Sequence, residues 1–264
     1  MKLSCGEYMV RGKNIVEKLE ILQRCGFDGI EIPGTAVRGR EEEIKKAVAK
    51  SKVRPSTICG YEGCLLDADI DVRNKAMEEL KYLLSFSAEI GAAGVIMVPL
   101  FGPPKISDLS PYADAVVLEK KLLVELLKGI GEYAKKSKSI LLVEPLNRYE
   151  THLLNRFEQA VGICKKVDSP YVKIMADFFH MSIEEIDIPK SIKKAGDYIR
   201  HIHLADSTRL LPGYGHTDFK KAFAALKKIG FKNYMALECI CPAGPYSEDE
   251  LKKCVEYLKK CMEG

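Results

Sequence analysis

Eight short apolar runs, separated by longer and mostly amphipathic stretches, limit the fold of this chain more than any other feature. The runs lie at about 2–7, 28–32, 54–59, 94–98, 139–144, 172–177, 199–204 and 234–239. Strict alternation of strand and helix implies parallel strands joined by right-handed crossovers. Eight such units in 264 residues match a closed (β/α)8 TIM barrel, which takes roughly 250 residues. A dinucleotide-binding open sheet would carry Gly-x-Gly-x-x-Gly after an early strand, and no such motif is present. There is no linker, low-complexity segment or composition break, so residues 1–264 are expected to form one α/β domain.

The intervening stretches carry their own start and stop signals. Ile15, Leu19 and Leu22 share a helical face, and Gly26 follows as a C-terminal stop. Residues 41–51 open with three glutamates and turn to lysines later, the order the helix dipole favours. Residues 71–91 and 112–136 read as long amphipathic helices, and 156–167 as a helix with Asn155 as its N-cap. Residues 218–229 form another helix that stops at Gly230. The last helix, about 247–262, opens with Ser247 and has Glu250 three residues on, a capping box. The longest irregular stretches, 99–111 and 205–217, both follow a strand's C-terminal end. In a barrel they overhang the mouth, where substrate loops sit.

Charge and cysteine content narrow the function. The 41 basic and 37 acidic residues leave a net charge of +4, and the densest basic cluster is Lys135-Lys136-Ser137-Lys138. That is a solvated surface, and no nucleic-acid partner is expected. No run is long enough to span a membrane, and the opening residues are too short and polar for a secretory signal. The nine cysteines form no Cys-x-x-Cys pair. They read as reduced thiols of a cytoplasmic protein, several of them small core hydrophobes.

Four metal-competent side chains stand at or near the ends of the last four runs: Glu144, Asp177, His203 and Glu238. Their separations of 33, 26 and 35 residues are each one strand plus one helix. On adjacent parallel strands they converge at the C-terminal mouth, where barrel active sites lie. Three carboxylates and an imidazole at one point repel strongly unless a divalent cation holds them together. A single charged residue at a strand end meets solvent about as often as not, but four in succession are harder to explain that way. An oxygen-rich set with one imidazole suits Mn²⁺ first, then Mg²⁺ or Co²⁺, with Zn²⁺ also within reach.

All five histidines lie in the C-terminal half: His152, His180, His201, His203 and His216. His201 and His203, two apart on one strand, point to the same face. His203 is nearer the strand end and the better ligand. His201 sits a layer deeper and reads as a packed, hydrogen-bonded ring. His180 falls three residues after Asp177, on a loop just above the metal position. His216 is either a site residue or part of a glycine-bearing turn capped by Thr217 or Asp218. Arg148 and Arg209 lie in mouth-forming segments and could pair with a substrate carboxylate, while Arg148 also reads as a surface ion pair.

Six segments taken together carry a resemblance. They are Gly26-Phe-Asp-Gly-Ile-Glu31, Val143-Glu-Pro-Leu-Asn-Arg-Tyr-Glu150, Asp177-Phe-Phe-His180, His201-Ile-His-Leu-Ala-Asp-Ser-Thr-Arg209, Gly213-Tyr-Gly-His-Thr-Asp-Phe219 and Leu237-Glu238. With their spacings, they resemble the xylose-isomerase-like barrel superfamily, and within it the D-tagatose 3-epimerase group of ketose 3-epimerases. The resemblance spans the whole chain and matches least around 5–8 and 101–106. It implies that Glu144, Asp177, His203 and Glu238 are metal ligands, with Glu144 and Glu238 also the acid/base pair. It implies that Glu150, His180 and Arg209 hold the ketose oxygens beside the metal. A homo-oligomer, dimer or tetramer, is implied by the same analogy.

The implied reaction agrees with elementary chemistry. Inverting a carbon beside a ketone requires removing its proton and returning one on the opposite face. A divalent cation on the carbonyl and neighbouring hydroxyl oxygens stabilises the enediolate. Two carboxylates on opposite faces act in turn as base and acid, and no organic cofactor is needed. The expected activity is a metal-dependent epimerase of a ketohexose or ketohexuronate. An aldose–ketose isomerase, or one acting on inosose or hydroxypyruvate, would use the same site. An endonuclease IV-like hydrolase would want a multi-zinc cluster, more histidines at the mouth and a basic groove. A non-catalytic sugar-binding barrel would be favoured if either glutamate were replaced, and both are present.

Overall fold

The computed structural model describes residues 1–263. Its strands are β1 (Lys2–Gly6), β2 (Gly29–Pro33), β3 (Arg54–Cys59), β4 (Val95–Met97), β5 (Leu141–Val143), β6 (Val172–Asp177), β7 (Ile199–Leu204) and β8 (Tyr234–Leu237). All pair in parallel with their sequence neighbours, and β8 returns to β1, with Lys2 opposite Tyr234 and Cys5 opposite Leu237. The expected eight-stranded α/β barrel is therefore the fold. Around it run α1 (Ile15–Cys25), α2 (Glu41–Lys50), α3 (Ile70–Glu89), α4 (Ala115–Ser137), α5 (Phe157–Val167), α6 (Phe178–Glu184), α7 (Ile188–Ala195), α8 (Phe219–Lys228) and α9 (Glu248–Glu263).

Local chemistry sets most of these boundaries. Asn14 caps α1 by accepting the Glu17 N–H at 3.0 Å, and Gly26 closes the helix in a left-handed conformation. Asp218 caps α8 through the Lys221 N–H. Ser247 and Glu250 form the expected capping box of α9, each side chain accepting the other residue's backbone N–H.

Two sequence expectations fail. Asn155 does not cap α5: its amide donates to the carbonyls of Leu146 and Thr151. Gln159 instead reaches back to the backbone N–H groups of Asn155 and Arg156. His180 does not lie on a loop. Asp177 ends β6 and at once caps α6, its Oδ1 accepting the N–H groups of Phe179 at 2.6 Å and His180 at 3.1 Å. Strand passes to helix without a loop, and His180 sits in the first helical turn.

Alternation along the strands separates two apolar regions. The main core lies between the outer face of the barrel and the helices. Ile96, Leu142 and Met175 form a smaller cluster of their own. Leu142 and Met175 precede Glu144 and Asp177 by two residues, so they share the inward face and floor the site. All nine cysteines are free, five of them buried. No helix among the described residues is long and apolar enough to cross a membrane.

Candidate active site

His203, from β7, stands at the centre of the predicted ligand set. Its Nδ1 lies 3.7 Å from Glu144 Oε1, 3.7 Å from Asp177 Oδ2 and 3.5 Å from Glu238 Oε2. Glu144 follows β5, Asp177 ends β6 and Glu238 follows β8, so four neighbouring strands deliver the four side chains. Glu144, Asp177 and His203 are buried, and their ligand atoms lie within 4.8 Å of one another. Asp177 Oδ2, His203 Nδ1 and Glu238 Oε2 are buried without any hydrogen-bond partner. Each such atom costs about 1–3 kcal/mol. Three of them turned to one point, beside the carboxylate of Glu144, fit a single hard or borderline divalent cation.

The opposite edge of the His203 ring explains why Nδ1 is the free nitrogen. Its Nε2 donates to Glu31, 3.0 Å from Oε1 and 3.1 Å from Oε2. Glu31 comes from β2, across the barrel, and is itself buried. It also lies 3.0 Å from His201 Nε2 and accepts the Thr57 hydroxyl. His201 is thus a packed ring hydrogen-bonded through Nε2, as expected, while its Nδ1 is buried without a partner. A carboxylate behind a histidine fixes the tautomer and raises the ligand's basicity. Sequence reading gave Glu31 no role, although a glutamate inside an apolar strand was a visible signal.

The other three predicted residues gather at the same place. His180 Nδ1 accepts the Asn147 backbone N–H at 3.2 Å, so the ring proton sits on Nε2. That nitrogen lies 4.0 Å from Glu144 Oε1 and 3.9 Å from Asp177 Oδ2. Arg209 donates to Glu150 Oε1 at 2.7 Å, reaches within 3.7 Å of Glu238 Oε2, and lies over the Phe179 ring. Glu144, Glu150, His180, Arg209 and Glu238 line one cavity of about 350 Å³. Its remaining wall includes Tyr61, Asp67, Phe101 and Lys105. Arg148 does not line the cavity and is held bidentately by Glu184 at 2.9 and 3.0 Å, the surface ion pair.

Arg209 is held in a strained backbone conformation, φ 60°, which a non-glycine residue adopts only when its surroundings impose it. The Asp206 carbonyl accepts the Arg209 N–H at 2.8 Å, and the Asp206 side chain, which sequence reading also passed over, organises the surrounding loop. Its carboxylate accepts the N–H groups of Ser207 at 2.8 Å, Gly213 at 2.8 Å and Thr217 at 3.0 Å. A Cβ on Gly215 would stand 2.3 Å from Asp206 Oδ1, so only glycine lets the loop fold over this carboxylate. His216 bonds Ser207 through its ring and its N–H, which makes it part of that turn.

Burial and these charges shape the acidities. Burial pushes the Glu144 carboxyl up, the His203 ring pulls it down, and the Glu238 charge pushes it up again; the balance is a raised value. Burial also pushes Asp177 up, but His180, His203 and the helix N–H of His180 outweigh it and hold Asp177 at about 2. Burial lowers His203, yet Glu31 and Glu238 raise it well above an ordinary histidine. The two buried carboxyls are thus shifted in opposite directions, Glu144 up and Asp177 down.

Comparison with other proteins agrees with this arrangement. The chain matches the xylose isomerase-like TIM barrel family over residues 19–261 and belongs to that family. The 3-dehydro-D-guloside 4-epimerase of Escherichia coli strain K12 is 29% identical over 245 residues, 90% of this chain and 92% of that protein. A D-psicose 3-epimerase of Enterocloster bolteae is 36% identical over 126 residues, 48% of this chain and 42% of that one. The crystal structure of E. coli 3-keto-D-glucoside 4-epimerase, in its apo form, superposes with a TM-score of 0.89 at 27% identity. It covers 99% of this chain and 100% of that one. The chain thus stands with isomerases that act on carbohydrates, as its motifs implied.

Proposed function

We propose that this chain is a divalent-metal-dependent sugar epimerase that inverts a carbon beside a ketone. The observation that carries the reading is the set of three unpartnered buried atoms, on Asp177, His203 and Glu238, converging beside Glu144 at the cavity. Those four residues would hold the cation, Mn²⁺ before Mg²⁺, Co²⁺ or Zn²⁺. Bound there, it would draw charge onto the substrate's oxygens and so acidify the carbon next to the ketone.

The rest falls to the chain's own side chains. Glu144 and Glu238 come from different strands, β5 and β8, with His203 between them. Each can face one side of a sugar carbon, one taking its proton and the other returning a proton to the opposite face. His180 offers its Nε2–H to a substrate oxygen. Arg209, tethered by Glu150, offers its remaining donors to another. Val98, Leu100 and Leu146 make the neighbouring wall apolar and keep bulk water from the reacting carbon.

The named activities of the relatives share one chemistry: a 3-keto glycoside epimerised at C4 and a 2-ketose epimerised at C3 both react beside the ketone. The substrate is therefore a keto sugar, with ketohexoses, ketohexuronates and 3-keto glycosides as the panel to test. A hydrolase with a multi-metal cluster is disfavoured. The two metal-capable groups found among the described residues, Glu144–Asp177–His203 and Glu31–Cys59–His203, share one histidine, and Glu31 already occupies its second nitrogen. Product analysis by NMR, with protein stripped by chelator and then reloaded with Mn²⁺, tests the proposal. An epimer that appears only with the metal supports it. Full turnover by exhaustively stripped protein contradicts it.

A further inference from the structure

A pair outside the cavity, a buried Glu119 and a half-buried His152, has no role in the chemistry above. Glu119, near the start of α4, is fully buried, a costly place for a carboxylate unless it is fully bonded. Its Oε1 accepts the backbone N–H groups of Lys105 at 2.7 Å and Ile106 at 3.2 Å. Its Oε2 lies 2.5 Å from His152 Nε2. The other ring nitrogen of His152 lies 2.9 Å from the Gly102 carbonyl oxygen, which also accepts the His152 N–H. Gly102 completes the tie by donating its own N–H to the Glu150 carbonyl at 2.8 Å.

The pair therefore joins two mouth segments, the one after β4 and the one after β5. The first supplies Phe101 and Lys105 to the cavity wall, and the second supplies Leu146 and Glu150. Neither Glu119 nor His152 lines the cavity. Residues 102–106 belong to no strand or helix, and a wall made of such a segment recognises a ligand well only if it is held in one conformation beforehand. A buried carboxylate with three donors supplies that restraint.

We infer that Glu119 and His152 are positioning residues for substrate recognition, fixing the cavity wall that carries Phe101 and Lys105 and anchoring the backbone of Glu150. The kinetic arm of the test rests on the epimerase reading; the exchange arm does not. Glu119→Gln replaces one acceptor oxygen by a donor while keeping the shape. His152→Ala, at a partly exposed ring, serves if the first variant does not fold. In either variant, amide exchange at Lys105 and Ile106 should speed up about tenfold or more, while β5 and β6 keep their protection. KM for the best sugar should rise about tenfold with kcat changed less than about twofold. Because the two residues act as one unit, the double variant should be no worse than the more severe single one.

Unchanged exchange at Lys105 and Ile106 overturns the inference. Faster exchange with unchanged KM, or a fall in kcat at constant KM, overturns it equally. If the unaltered protein turns over no sugar, the epimerase reading fails by itself. In that case loosening confined to 102–106 still supports the pair as the restraint on that wall, and retained protection contradicts it.

Discussion

Glu31 decides which face of His203 is free to bind a metal, and so does more for the site than its place outside the ligand set suggests. With Nε2 bonded to Glu31, Nδ1 points at Asp177, Glu144 and Glu238. Glu31→Gln should therefore weaken Mn²⁺ binding about 10- to 100-fold with the barrel intact, as read by titration calorimetry. Glu238→Gln should fold and keep a metal but lose epimerisation by about 10²- to 10⁴-fold, the usual weight of a general acid or base. Turnover at the unaltered rate would end the two-glutamate account. The meeting of the four predicted ligands was legible in the sequence because strand ends one β–α unit apart must converge in a parallel barrel. Glu31 was not, because its partner lies 172 residues away and only closure of the barrel brings them together.

At the scale of elements, the loop after β7 and the start of β4 carry the sharpest tests. Burial alone would raise the Asp206 carboxyl, but the N–H groups of Thr217, Ser207 and Gly213 outweigh it and hold it below the ordinary value of 3.8. A lowered folded-state value means stability that is present above 3.8 and lost as pH falls through the lower value. Asp206→Asn should cost about 1–3 kcal/mol near neutrality. Urea denaturation from pH 6 downward should show the difference from the unaltered protein shrinking below about pH 3.8. A constant difference would remove Asp206 as the loop's organiser. At β4, a Cβ on Gly94 would meet the Ile140 carbonyl oxygen at 2.2 Å, the same oxygen that accepts the Val95 N–H. Gly94→Ala should lower the urea midpoint by the equivalent of about 1–3 kcal/mol. Element order was readable because apolar spacing switches between strand and helix periods. The α6 helix escaped because Asp177 is strand end, cap and predicted ligand at once, leaving no loop signal. The Asn155 cap failed because Gln159, four residues on, bonds the same backbone from the other side.

For the whole molecule, closure of β8 on β1 turns eight local units into one site. Four strands bring the predicted ligands, β2 brings Glu31, and the loops after β3 and β4 complete the cavity wall. Converging buried carboxylates oppose one another without a cation, so a bound metal should stabilise the folded chain as a ligand does. The melting temperature should rise with Mn²⁺ concentration, and should rise less for Asp177→Asn. The central claim is that two carboxylates exchange a proton at a carbon beside a ketone. The most direct test is NMR of the Mg²⁺-loaded protein in D2O, with ketohexoses, ketohexuronates and 3-keto glycosides. Deuterium incorporated at the inverted carbon, dependent on the metal and absent in Glu238→Gln, is the predicted result. Epimer formed with the original hydrogen fully retained, or no exchange on any sugar with the metal bound, would contradict it.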